Sequence, residues 1–168
     1  MLIREENIKD YKEIRELVKN AFLTAEHSDQ NEYKLIDKLR ESEGFIKELA
    51  LVAIIEDTIV AHIMFTQIKI NDKIGIALAP LSVLVEKQGQ GIGQAIMKKA
   101  HEIAKSLGYK FSIVLGNNNF YSKAGYKKAS NYGIKAPFDV LEEYYMVLFL
   151  DNNETMLNGT VEYVKELL

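Results

Sequence analysis

The stretch Gln88-Gly89-Gln90-Gly91-Ile92-Gly93 decides how the rest of the chain is read. Before it, Ile74 to Val85 is an apolar run with strand character, interrupted by Pro80, which implies a bulge, an edge or a break in the ladder. After it, Ile92, Ile96, Ala100, Ile103 and Leu107 recur at helical spacing until Gly108. The order is strand, glycine loop, helix. Glycines there let backbone approach a ligand, and the free N–H groups of a first helical turn favour an anion such as a phosphate or pyrophosphate. The plain alternative is a tight turn that holds nothing, but three glycines at alternating positions exceed what a turn requires.

Two common phosphate motifs fail on the letters. A dinucleotide fingerprint needs glycine at position 94 or 96, where the chain has Gln94 and Ile96. A P-loop needs Gly-Lys-Ser or Gly-Lys-Thr, whereas Gly93 is followed by Gln94-Ala95.

Upstream, Leu49 to Ile55 and Ile59 to Phe65, continuing to Ile70, read as a hairpin about Glu56-Asp57-Thr58, with a second turn at Asn71-Asp72-Lys73. The first quarter is mainly helical. Leu2 to Glu6 is a short strand; Tyr11, Ile14, Leu17, Val18, Ala21 and Phe22 share one helix face, capped by Asn7 or Asp10; Tyr33, Leu35, Ile36 and Leu39 form a second helix ending before Gly44. Downstream follow a strand at Phe111 to Leu115, a short helical segment at Asn117 to Ala124, a turn at Gly125-Tyr126 and a strand at Tyr144 to Leu150. After Asn152-Asn153-Glu154, the spacing of Met156, Leu157, Val161, Val164 and Leu167 predicts a closing helix. Hairpins followed by a strand-helix-strand unit make an α/β (α+β) chain: a mixed, mostly antiparallel central sheet with helices on both faces.

Composition sets the outer limits. The 168 residues, 48% hydrophobic, suit one domain with a substantial core. A net charge of -3 lacks the positive excess of a general nucleic-acid binder. The absence of cysteine excludes disulfides, thiolate metal sites and a cysteine nucleophile, and no His/Asp/Glu spacing reads as a metal site. Met1 to Glu6 lacks a secretory-signal pattern and no apolar run approaches the ~20 residues of a membrane span, so a cytoplasmic protein is expected.

The glycine stretch resembles the Gln/Arg-x-x-Gly-x-Gly/Ala motif of the GNAT acetyltransferases, and Phe120-Tyr121-Ser122-Lys123-Ala124-Gly125-Tyr126 resembles that family's Tyr-x-x-x-Gly-Phe/Tyr segment. Pro80 to Leu84 and Lys135-Ala136-Pro137-Phe138-Asp139-Val140 look like its YhbS-like subgroup. The resemblance covers residues 1–151, and 152–168 is expected as a C-terminal helical extension packed on the same domain.

The resemblance implies a GNAT fold, with a sheet splayed between its fourth and fifth strands, and transfer of an acetyl group from acetyl-coenzyme A directly to a primary amine, with no metal and no covalent enzyme intermediate. The amine belongs to a small molecule or a protein. Backbone N–H groups of Gly89, Gln90, Gly91, Ile92, Gly93 and Gln94 would hold the pyrophosphate, with Gln88 adding its side chain. Val83, Leu84 and Val85 would run beside the pantetheine arm, with an N–H near Leu84 polarising the thioester carbonyl. Asn117 or Asn118 would bond the coenzyme, unless they serve only the turn. Tyr121 would protonate the departing thiolate, its alternative being a packing tyrosine.

No carboxylate on the strand before the loop offers a general base. His62, on a central apolar strand, reads either as that base, directly or through water, or as a buried structural histidine. Glu26, His27, Asp29 and Glu32, between the early helices, read as acceptor-recognising groups or as a solvated loop. The rival function is a regulatory module that binds an acyl-coenzyme A without catalysis. The last strand and closing helix are places for a homodimer contact.

Overall fold

The computed structural model describes residues 1–23, 25 and 28–168. Strand β1 (Leu2–Glu5) leads into a capping box in which Asn7 accepts from the Lys9 N–H while the Asp10 carboxylate accepts from the Asn7 N–H at 2.8 Å. The box closes the short turn Ile8–Asp10 that leads into the first helix, and Asp10 makes no side-chain capping bond to that helix itself. Helix α1 (Tyr11–Phe22) buries Ile14, Leu17 and Val18, and α2 (Glu32–Arg40) buries Ile36 and Leu39.

Strands β2 (Leu51–Ile55), β3 (Thr58–Ile70) and β4 (Lys73–Val83) form an antiparallel meander. Glu56 and Asp57 turn the first hairpin with φ of 49° and 63°, the left-handed pair that suits strand twist. Pro80 lies inside β4. Pairing moves from Ile63–Leu81 to Phe65–Leu78, so β4 carries one residue more than β3 across this interval, the bulge expected where proline has no N–H to donate.

Helix α3 (Ile92–Ser106) crosses back to β5 (Phe111–Leu115), followed by α4 (Asn118–Ser122), β6 (Lys127–Lys128), β7 (Ile134–Lys135), β8 (Tyr145–Phe149) and β9 (Gly159–Glu162). The main order is β1-β2-β3-β4-β5-β8-β6. Within it, β4 and β5 are the parallel neighbours, paired only at Ile76–Ser112 and Ala77–Ile113. Beyond those pairs the strands part and the sheet opens. Against one face, α3 packs Ile92, Ile96, Met97, Ala100 and Ala104 on Leu51, Ile63, Phe65 and Ile76. On the other, α1 and α2 cover Val52 and Met64.

The closing helix is not formed. Residues 159–162 instead make β9, which pairs antiparallel with the end of β3 (Ile70–Val161) and parallel with β7, before a short 3₁₀ turn at Lys165–Leu167. Asn158 takes φ 48°, outside helical geometry, and Leu157 and Val161 bury against Ile70 and Ile134 while Met156 stays 54% exposed. An open strand edge supplies backbone hydrogen bonds that a helical apolar period does not anticipate.

Candidate active site

The glycine loop lies where the sheet opens. Gly89 and Gly91 have φ of 77° and 84°, and a Cβ on either would meet nothing within 4 Å. Their requirement is thus conformational, and the space above them is clear. Gly91 caps α3, whose first intrahelical bond runs from the Ala95 N–H to the Gly91 carbonyl at 3.0 Å. The N–H groups of Ile92, Gly93 and Gln94 precede that bond and have no intrahelical acceptor. Gly93 serves closeness instead, since a Cβ there would stand 3.0 Å from the Phe120 ring.

Across from the loop, Asn117 caps α4 by accepting from the Phe120 N–H at 3.0 Å, and Gln94 Nε2 donates to the Phe120 carbonyl at 2.8 Å. Between these elements is a cleft of about 720 Å³. Of the expected residues, Val83, Gln88, Gly89, Gly91, Ile92, Gly93, Gln94, Asn117 and Tyr121 line it. Tyr121 packs edge-on against Phe120 and Tyr126, and burial alone pushes its hydroxyl up to about 12, so the phenol stays protonated at neutral pH. Tyr126 is fixed in turn by Ser112 Oγ at 2.7 Å and His101 Nε2 at 2.9 Å. Burial takes His101 down to about 4, which keeps that ring neutral.

Several expectations are corrected. The Leu84 N–H donates to the Val60 carbonyl and the Val85 N–H to Asn20 Oδ1, both at 3.0 Å, so neither faces the cleft as a free donor. Because Leu84 bonds Val60 while Val83 stands opposite Ala61, antiparallel alternation turns the main-chain groups of Val83 and Leu81 away from β3, toward the parted β5. The donors offered to the opening are those of Leu81 and Val83. Gln88 folds back, its Nε2 donating to the Val83 carbonyl at 3.0 Å. Gln90 lies outside the cleft lining, with its Nε2 3.4 Å from the Glu86 carbonyl. Asn117 reaches the lining, yet its side-chain oxygen is already held by the α4 cap.

Other residues of the site lie outside the set expected from the sequence. Leu81, Lys87, Gly116, Asn119, Phe120 and Lys123 line the same cleft. Lys87 directly precedes Gln88 and Lys123 lies within the quoted tyrosine segment, but single lysines on polar segments carry no periodic signal.

His62 is absent from the cleft lining; it is fully buried and hydrogen-bonded to Glu6 at 2.8 Å. Asp29 and Glu32 line a separate depression with Lys34 and Lys38, while Glu26 and His27 fall outside the described residues. Among the described residues no group of three or more histidines and carboxylates is arranged to hold a metal ion, and no helix is long and apolar enough to cross a membrane.

A mixed sheet opened between parallel strands, with a glycine-capped helix start and a protonated tyrosine at the opening, defines a transferase of the acetyltransferase type. Residues 47–128 match the family model described as the acetyltransferase (GNAT) domain. The uncharacterized N-acetyltransferase YjhQ of Escherichia coli K12 is 31% identical over 140 residues, covering 80% of this chain and 75% of that protein. YhbS, an uncharacterized N-acetyltransferase of the same strain, is 29% identical over 97% of this chain and 96% of its own. The Escherichia coli YhbS structure in complex with coenzyme A superposes with a TM-score of 0.86 at 25% identity, covering 99% of this chain and 91% of that one. A GNAT family acetyltransferase from Brucella melitensis in complex with acetyl-coenzyme A gives 0.83 at 27% identity, covering 99% and 97%. The chain belongs to the GNAT family of N-acetyltransferases.

Proposed function

We infer that this acetyltransferase takes its acetyl group from acetyl-coenzyme A and passes it directly to a primary amine. The observation that carries the reading is the single cleft in which the α3 start, the parted edge of β4 and Tyr121 meet. The neighbouring structures solved with acetyl-coenzyme A and coenzyme A support the donor.

In this reading the pyrophosphate lies on the N–H groups of Gly89 to Gln94, where the helix dipole adds attraction, with Lys87 and Lys123 at the rim. The pantetheine arm pairs with the main chain of Leu81 and Val83, and one of their N–H groups polarises the thioester carbonyl. The amine attacks the carbonyl carbon, the carbon–sulfur bond breaks, and the thiolate takes the proton of Tyr121. Residues 1–151 carry this chemistry, and 152–168 complete the sheet edge.

The test is coenzyme A release from acetyl-coenzyme A across a panel of amines, for the native chain and Tyr121→Phe, with coenzyme binding measured in both. Amine-dependent release that falls about 100-fold in Tyr121→Phe with binding kept is the expected result. Equal release from both proteins removes Tyr121 from the mechanism, and absent binding removes the donor assignment.

A further inference from the structure

Tyr121, the acid of the reaction proposed above, sits on a helix of five residues, too short to hold a side chain still by itself. Its orientation comes from other elements. Gly125 takes φ 101° and its N–H donates to the Ser122 carbonyl at 3.0 Å, while the Tyr126 N–H reaches back to the Tyr121 carbonyl at 3.2 Å. This is a Schellman termination, in which the residue after the glycine packs on the last turn of the helix. The Tyr121 and Tyr126 rings accordingly meet edge-on, with centroids 5.7 Å apart. Gly116 closes another side, since a Cβ there would stand 2.5 Å from the Tyr121 ring.

Tyr126 is anchored in turn, and not by the cleft. Its hydroxyl lies 2.7 Å from Ser112 Oγ on β5 and 2.9 Å from His101 Nε2 on α3, and none of these three residues lines the cleft. Ser112 and Tyr126 are buried, so these bonds are not exchanged for water. Burial holds His101 at about 4, and a neutral imidazole has one donor and one acceptor nitrogen. The Tyr126 hydroxyl therefore donates to one partner and accepts from the other. That fixes the ring at its hydroxyl end, while the main-chain bond to Tyr121 fixes the other.

We propose that Tyr126 is the positioning residue of the acid: Ser112 and His101 hold its ring, and that ring sets the direction in which the Tyr121 hydroxyl meets the departing sulfur. The elements that supply the anchors are the ones that border the site. Helix α3 begins at the glycine loop, and β5 leads directly to Gly116 in the cleft lining. Helix α3 is thus joined to the segment of the acid at two points, Gln94 to the Phe120 carbonyl at 2.8 Å and His101 to Tyr126. A displacement on the order of 1 Å in a reacting group costs up to about 100-fold in rate, so a ring held at both ends serves the chemical step rather than coenzyme binding.

This role depends on Tyr121 being the acid, and the experiment tests the two separately. Coenzyme A binding is measured by calorimetry, and kcat and KM for acetyl-coenzyme A are measured with the amine panel for the native chain, Tyr121→Phe, Tyr126→Phe and the double variant. Tyr126→Phe keeps the ring and removes both anchoring bonds. It is expected to keep coenzyme A affinity and KM and to lose at least ~10-fold in kcat, and the double variant is expected to be no slower than Tyr121→Phe alone. Ser112→Ala combined with Tyr126→Phe, which removes the hydroxyl left unpaired, repeats the test if the single variant fails to fold.

Native kcat in Tyr126→Phe overturns the proposal. So does a double variant slowed by the full product of the two single effects, because a merely structural loss multiplies with the loss of the acid. Native kcat in Tyr121→Phe removes the acid itself, and the proposal falls with it. A second measurement needs no acceptor: in the full chain with isotope-labelled tyrosines, the Tyr121 ring is expected to flip faster in Tyr126→Phe than in the native chain, and an unchanged flip rate overturns the proposal.

Discussion

Gln94 Nε2 donates to the Phe120 carbonyl at 2.8 Å, so the first turn of the helix that begins the glycine site is tied to the short helix that carries Tyr121. Residues 26 positions apart thereby set the width of one cleft. Gln94→Leu, which keeps the bulk and removes the donor, is expected to cost about 1 kcal/mol of stability, measured by urea unfolding, because it leaves a half-buried carbonyl unpaired. The same variant should lower kcat more than it raises KM, since Tyr121 is the group released.

Gly91→Ala separates conformation from space. A methyl group meets nothing within 4 Å, but φ 84° is a left-handed setting that costs an alanine about 1 kcal/mol. The fold should survive with that loss in urea unfolding, while calorimetry should show coenzyme A affinity reduced at least ~10-fold, because the methyl projects where a phosphate would approach N–H groups.

Lys87 and Lys123 bring positive charge to a cleft without carboxylates among its described lining. Replacing both by glutamine is expected to raise KM for acetyl-coenzyme A about tenfold at low salt and to flatten its dependence on ionic strength. A steep salt dependence surviving in the double variant would assign the attraction elsewhere.

Stability should rise with pH in two stages. Glu6 has its pKa depressed from 4.5 to about 2, so its contribution is present above 4.5 and is lost as pH falls toward 2. His62 is buried with its pKa lowered from 6.5, so the unfolded chain binds a proton there first and stability also falls as pH drops below 6.5. Thermal unfolding across this range should show both declines, with His62→Gln removing the upper one and Glu6→Gln weakening the lower.

Much of this was legible from residue order. Glycines at 89, 91 and 93 between an apolar strand and an amphipathic helix announced a glycine loop at a helix start, and Gly89 and Gly91 take positive φ there. Asn7 with Asp10 announced a cap, and Pro80 a fault in β4 that the register shift bears out. Local rules suffice there because each feature is made by neighbours in sequence. The same rules failed in the tail, where the helical spacing of Met156 to Leu167 gave way to β9 once the edge at Ile70 was available.

Sequence by itself thus determined the order of elements, the glycine loop and the family resemblance, all of which depend on periodicity and local backbone freedom. Only the tertiary structure decided which main-chain donors face the opening, since Leu84 is silenced by Val60 on the neighbouring strand and Val83 is turned away from it. It alone paired Glu6 with His62 across 56 residues and set Ser82 opposite. Hydrogen-bond partners and burial are properties of distance in space, and a pattern confined to adjacent residues holds no record of them.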